Sequence, residues 1–222
     1  MIYSAPVNRN GETVKTRIVW LFLGLCSASY ASVVAVGPAS FPSGSALLDL
    51  TGLADGTEVN GLTVNGVHFS YTVGGSPLSG AVVIDGGPGI TNNIAPPNIV
   101  SVGDNTGVLG LLLPAPVTLF GYGYAILNTT TVANATTINI FMGATNLGTL
   151  SYTGAPDSTF TGGFAGIQST IPFDRVELTF NSTAAPAFAL DNVRFSGSSV
   201  PEPSTILLTV AALALGLRRR HQ

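Results

Sequence analysis

At 222 residues the chain has room for one domain and its appendages rather than two full domains. Its net charge of -3 hides an asymmetry, because six basic residues sit at the ends while the stretch 32–199 sets only Arg175 and Arg194 against nine carboxylates, a formal -7. Such an acidic body argues against a nucleic-acid partner, which needs Lys and Arg against phosphates; one cysteine, Cys26, and one body histidine, His68, argue against disulfides and Cys- or His-based metal sites.

In chain order the first feature is a basic pair, Lys15 and Arg17, then the apolar run IVWLFLGLCSA over 18–28, then Ser29 and Ala31 at the -3 and -1 positions of a cut before Ser32. That order is a secretory signal. Its 11 apolar residues are too few to span a bilayer, which takes about 20. Bulky Leu25 before Cys26 argues against lipid attachment. Residues 1–13 are unlike a signal n-region, so translation is expected to start near Val14. The expected division is signal peptide 1–31, folded ectodomain 32–196, and linker with tail 197–222.

Within the body, Gly and Pro punctuate short runs rich in strand-favouring residues. Strands are expected over 46–50, 62–73, 81–84, 108–113, 117–127, 136–142, 148–153, 160–167, 173–180 and 187–195, separated by turn signals such as Asn65-Gly66, Gly74-Gly75 and Asp85-Gly86-Gly87-Pro88-Gly89. The Thr-rich stretch 128–137 reads as a hairpin flank or loop. No helical periodicity appears between Ser32 and Val200. The expected fold is an all-β antiparallel sandwich of jelly-roll type, flanked by an N-terminal signal helix and a short C-terminal transmembrane helix.

Asp191 is the first candidate site residue. On a period of two it shares a face with Ala187, Ala189, Val193 and Phe195, which points its carboxylate inward, and a buried carboxylate is costly unless paired or coordinated. Three readings stand: hydrogen bonds from backbone N–H groups of a neighbouring loop, pairing with Arg175 or Arg194, or calcium held with Asp49, Asp55, Glu58 and backbone carbonyls. A bulge at Asp191-Asn192 would turn the carboxylate outward instead. Tyr122 and Tyr124, in Gly121-Tyr122-Gly123-Tyr124, offer either core packing or a sugar-stacking, ligand-binding face. His68 lacks an identifiable nucleophile or orienting partner, and no G-x-S-x-G elbow accompanies the glycine-rich turn at 85–89. Asp55 and Glu58 would serve glycoside cleavage only if brought together in a cleft. Asn128, Asn134 and Asn181 stand in N-x-S/T triplets, a weak signal of modification.

The chain ends on Pro201-Glu202-Pro203, the apolar stretch 205–217 and Arg218-Arg219-Arg220. Two prolines keep the motif extended, and 13 apolar residues make a helix of about 20 Å, short of a hydrocarbon core of about 30 Å. Snorkelling by the arginines closes the gap and sets them on the cytoplasmic side. This tail resembles the PEP-CTERM sorting signal of Gram-negative bacteria that make extracellular polysaccharide. The resemblance implies membrane handling by the tail, recognition by an exosortase-type processing enzyme, and delivery to the cell surface, outer envelope or extracellular matrix.

The body is also similar to the jelly-roll ectodomains that accompany such tails. The similarity rests on Leu53-Ala54-Asp55-Gly56-Thr57, on Gly66-Val67-His68-Phe69-Ser70, and on the run 188–195, which is also similar to the last strand of some carbohydrate-binding sandwiches. It implies a structural calcium near the terminal strands, at Asp191 and Asp49. The expected function is non-enzymatic: structural, adhesive or polysaccharide-associated. The alternative is a secreted polysaccharide-acting hydrolase, which needs two carboxylates about 5–10 Å apart in one cleft.

Overall fold

The computed structural model describes residues 31–197. The signal run, Pro201, Glu202, Pro203, the apolar stretch 205–217, Arg218, Arg219 and Arg220 lie outside the described residues, as do both expected flanking helices.

The strands are β1 (Val33–Ala35), β2 (Ala46–Leu47), β3 (Thr63–Val64), β4 (Val67–Val73), β5 (Ser76–Pro77), β6 (Val82–Asp85), β7 (Asn98–Ser101), β8 (Val108–Ile126), β9 (Val132–Met142), β10 (Thr145–Asp157), β11 (Phe160–Phe180) and β12 (Phe188–Ser196). Every pairing between them is antiparallel. Among the described residues the only helix is a 3-10 turn, Pro38–Ser40. The Asn65-Gly66 signal closes a two-residue hairpin: Val64 pairs with Val67, and both turn residues have positive φ, 49° and 80°.

The expected pairs of strands at 108–113 and 117–127, and at 160–167 and 173–180, are two long strands, β8 and β11, of 19 and 21 residues. Both pass through two layers. The start of β8 pairs with β4 at Leu111–Phe69 and with the end of β11 at Leu111–Val176. The end of β8 pairs with the start of β11 at Tyr122–Ala165 and with β12 at Tyr124–Leu190. Between them the β8–β11 register jumps from Gln168 to Phe173 and again to Arg175. Pro114 and Pro116 stand at this corner, where β8 gives up ladder donors. The all-β antiparallel expectation holds, but the layers are a single sheet folded over rather than two separate ones.

The layers share one core. Alternate residues point into it: Phe69 and Tyr71 on β4, Leu109 and Leu111 then Phe120 and Tyr122 on β8, Ile138 and Ile140 on β9, and Val176 and Leu178 on β11, all at 0 % exposure. Tyr122 spans the layers, since its ring meets that of Phe180 edge-on at 6.4 Å. β7 is a strand that alternation alone missed, and β9 begins at Val132, inside the stretch read as a hairpin flank or loop.

Candidate functional site

The candidate site lies on the outer face of the layer containing β12 and the end of β8. Here β8 puts its tyrosines in and its glycines out. Tyr122 is 0 % exposed and Tyr124 is 1 % exposed, which corrects the reading of this pair as a sugar-stacking face. The Tyr122 hydroxyl lies 2.5 Å from Thr136 Oγ1 on β9, while the Tyr124 hydroxyl is buried without a partner. Burial pushes the Tyr124 phenol up to about 12 and raises that of Tyr122 further.

The outward glycines admit two segments flat against the strand. A Cβ on Gly121 would fall 2.6 Å from the Phe164 ring and 3.0 Å from that of Phe41, and one on Gly123 would fall 2.2 Å from the carbonyl oxygen of Asn93. The segment carrying Phe41 and the loop 91–95 therefore occupy space that any other residue would fill. The loop is pinned at Asn92, whose N–H donates to Asp157 Oδ2 at 2.7 Å and whose amide donates to the Phe160 carbonyl at 2.9 Å.

Asp191 sits under this loop because β12 is bulged. Its register against β8 slips between Asp191 and Arg194, and Asn192 takes a left-handed φ of 52°. Phe188 and Leu190 join the core before the slip, Val193 and Phe195 after it. Ala189, packed with Ile94 and Ala125, faces the other way. Strict alternation places Asp191 inward with Val193 and Phe195; the bulge puts it on the outer face instead. There its Oδ2 accepts the Ala95 N–H at 3.2 Å, while the Asn192 amide donates to the Asn93 carbonyl at 2.7 Å. Hydrogen bonding to a loop backbone is thus the arrangement found.

Burial raises the Asp191 carboxyl above its ordinary value; N–H groups of Asn192 and Ala95 and the charge of Arg194 pull it back, and Asp49 pushes it up. Asp49, brought near by the Leu48 N–H to Val193 carbonyl bond at 2.8 Å, is exposed and held below its ordinary value by hydrogen bonds from Thr51. The fold thus makes neighbours of the two residues assigned to calcium. Among the described residues no group of three or more His, Cys, Asp and Glu stands together in a way that could hold a metal ion.

Beyond the bulge, Arg194 lies 5.7 Å from the Phe41 ring centroid and 5.5 Å from that of Phe164, and those rings meet edge-on at 5.8 Å. A cleft of about 340 Å³ opens beside it, lined by Phe41, Pro42, Ser43, Ser45, Leu47 and Arg194. A smaller apolar pocket of about 170 Å³ lies by the start of β12, with Pro88, Val100, Leu127, Phe160 and Ala189 in its walls. Sequence reasoning missed the first of these, because only the pairing of β2 with β12, at Leu47–Arg194, brings the early and late segments together.

The remaining candidates are dispersed. His68 faces solvent, with Nδ1 3.0 Å from Thr63 Oγ1. Asp55 and Glu58 are exposed, and neither lines the clefts described above. The glycine-rich turn closes on Asp85 Oδ1, which accepts the Gly87 N–H at 2.8 Å. Arg175 pairs with Glu177 and lies over the Phe141 ring at 3.9 Å, so it is engaged away from Asp191.

No protein-family model matches this sequence, and no curated protein matches it. Among solved structures it is similar to a variant of a family 29 carbohydrate-binding module complexed with mannohexaose, at 9 % identity, covering 69 % of this chain and 94 % of that one, with a TM-score of 0.38. A second variant, complexed with cellulohexaose, has 9 % identity, coverages of 76 % and 94 %, and a TM-score of 0.37. Another family 29 module has 11 % identity, coverages of 64 % and 88 %, and a TM-score of 0.35. Likenesses this distant bear on neither the ligand nor the activity of this chain.

Proposed function

We propose that this chain is an exported, non-enzymatic protein of a Gram-negative cell surface or extracellular matrix, associated there with polysaccharide, and that its tail is processed by an exosortase-type membrane enzyme. The observation that carries this reading is the spacing between fold and tail. β12 ends at Ser196, and Pro201 follows after four residues. In sequence the Pro201-Glu202-Pro203 motif follows the last described strand, an order that suits a tail read by a processing enzyme. The front of the body is consistent with export in the same way. β1 starts at Val33, one residue past the expected cut, and the Ser32 N–H donates to Thr170 Oγ1 at 3.0 Å.

Mass spectrometry of native protein from culture fluid and envelope tests the reading. The expected mature species begins at Ser32 and lacks 205–222. Retention of 205–222 in every fraction, or an intact chain dissolved in the cytosol, would refute it.

A further inference from the structure

The outer face of the β12 layer is apolar over more ground than its own chain covers. Ile94, Ala125 and Ala189 pack there with Val100 and Phe160. The turn that Thr91 and Ile94 close by exchanging N–H and carbonyl groups, at 3.2 and 2.8 Å, lays Ile94 over part of this patch. The remainder is the pocket of about 170 Å³, where Val100, Phe160 and Ala189 meet Pro88 and Leu127. None of its lining residues is charged. An apolar cavity of roughly 150 Å³ takes up a molecule of benzene, so this one has room for a branched aliphatic side chain.

Such a side chain stands beside it. Ile90, two residues beyond Pro88, is 91 % exposed. Leu127 in the lining and Val102, next to Ser101 of the lining, are exposed as well. Three of the six large apolar side chains left exposed among the described residues thus gather at this one pocket, and exposed apolar residues in a group mark an interaction surface. Ile90 is held out by both of its flanks. On one side the Gly87 N–H donates to Asp85 Oδ1 at 2.8 Å, and Gly87 lies so close over Asn98 that a Cβ would fall 1.9 Å from its Nδ2. On the other the Thr91 hydroxyl donates to the Asp157 carbonyl at 3.0 Å. Pinned and exposed, Ile90 does not fill its own chain's pocket.

A second copy supplies what the pocket takes. In a twofold pair each copy gives one knob and receives one, so the contact closes on itself. Charge favours this face for the encounter: with nine carboxylates against two basic residues over 32–199, two bodies repel one another, and an uncharged lining brings them together at least cost.

We propose that two copies of this chain pair through this face, the Ile90 side chain of each entering the pocket of the other. Three exposed side chains cannot supply the about 800 Å² per partner that a stable complex buries, so the pair is weak and forms at high protein concentration.

Sedimentation velocity of the native protein over about 0.02–1 mM tests this. Reversible dimerisation is expected, tightening as salt is raised from about 0.05 to 0.5 M because the repulsion is screened. Ile90→Ser removes the knob and Leu127→Glu spoils the pocket. Both positions are exposed, so each variant is expected to melt within about 2 °C of wild type and to dimerise at least about tenfold more weakly. Mixing the two variants restores one knob and one intact pocket per pair, so the mixture is expected to associate more tightly than either variant alone. A monomer at the highest concentration, a dimer that neither variant weakens, or a mixture no tighter than its components would overturn the proposal. A larger fall in the Ile90→Ser melt would also overturn it, by placing Ile90 in its own chain's pocket. So would binding to anionic lipid vesicles, lost in Ile90→Ser, without self-association, which would assign the patch to lipid.

Discussion

Replacing Gly123 by alanine isolates what holds the 91–95 loop on the sheet. In an ordinary strand the change favours folding by about 0.5–1 kcal/mol, through the entropy that glycine loses. Here the sign reverses. The new Cβ would lie 2.2 Å from the Asn93 carbonyl oxygen and 2.9 Å from Ile94 Cγ2. β8 cannot retreat, because Gly123 is paired on both sides, with Phe164 and Asp191. The loop must lift instead. That strains the Asn192–Asn93 bond at 2.7 Å and the Ala95–Asp191 bond at 3.2 Å, each worth about 1 kcal/mol. Disturbed packing of Ile94, 1 % exposed, adds a further cost of about 1 kcal/mol. The expected loss is about 3 kcal/mol, or about 6–12 °C in melting temperature for a domain of this size. Circular dichroism melts of the mature protein measure it. Gly44→Ala is the control, since its Cβ would meet nothing within 4 Å, and it should stay within about 0.5 kcal/mol of wild type. If Gly123→Ala melted within about 2 °C of wild type, the loop would not be packed as described.

The two buried tyrosines should respond differently to loss of the hydroxyl. Tyr122→Phe breaks the bond to Thr136 and should cost about 1 kcal/mol, whereas Tyr124→Phe removes an unpaired hydroxyl and should be neutral or stabilising in chemical denaturation; equal losses would refute the distinction. With the Tyr124 phenol pushed up to about 12, the folded state holds the proton more tightly than the unfolded chain. Its contribution is complete below the ordinary tyrosine value and is lost as pH rises towards 12, so denaturant midpoints should fall across that window, and less steeply in Tyr124→Phe. Asp191, raised by burial, likewise favours the fold below the ordinary carboxylate value and loses that contribution as pH rises through its folded value. Asp191→Asn should therefore melt above wild type at neutral pH, with the advantage vanishing in acid, and EGTA should leave the wild-type melt unchanged. A melt lowered by EGTA would show calcium bound in the native protein and overturn this reading.

The β class and the approximate positions of most strands were legible because burial on one face imposes a period of two, as at Val176, Leu178 and Phe180. The joins were not. Pro114 and Pro116 read as a break between strands, yet β8 runs through them; a proline removes a ladder donor without ending the strand where the sheet itself bends. β1, with Val34 50 % exposed, carries no alternation to detect. The Gly-Tyr-Gly-Tyr motif was visible, but its burial depends on what covers the glycines, which comes from distant parts of the chain.

The candidate site turns on one residue of slippage. Under strict alternation Asp191 and Arg194 fall on opposite faces of β12, and Arg194 would share its face with Phe188 and Leu190. The bulge, carried by the left-handed Asn192, reverses parity between them, so that Val193 and Phe195 still reach the core while Asp191 and Arg194 emerge together. Apolar burial tolerates this because both halves of the strand keep their large residues inside. The outer face gains a carboxylate tied to a loop and a guanidinium lying over the Phe41 and Phe164 rings, beside a strand whose glycines leave room for Phe41. In β12 the Asp191-Asn192 pair marks the change of face, and the residues after it belong to the opposite parity from those before.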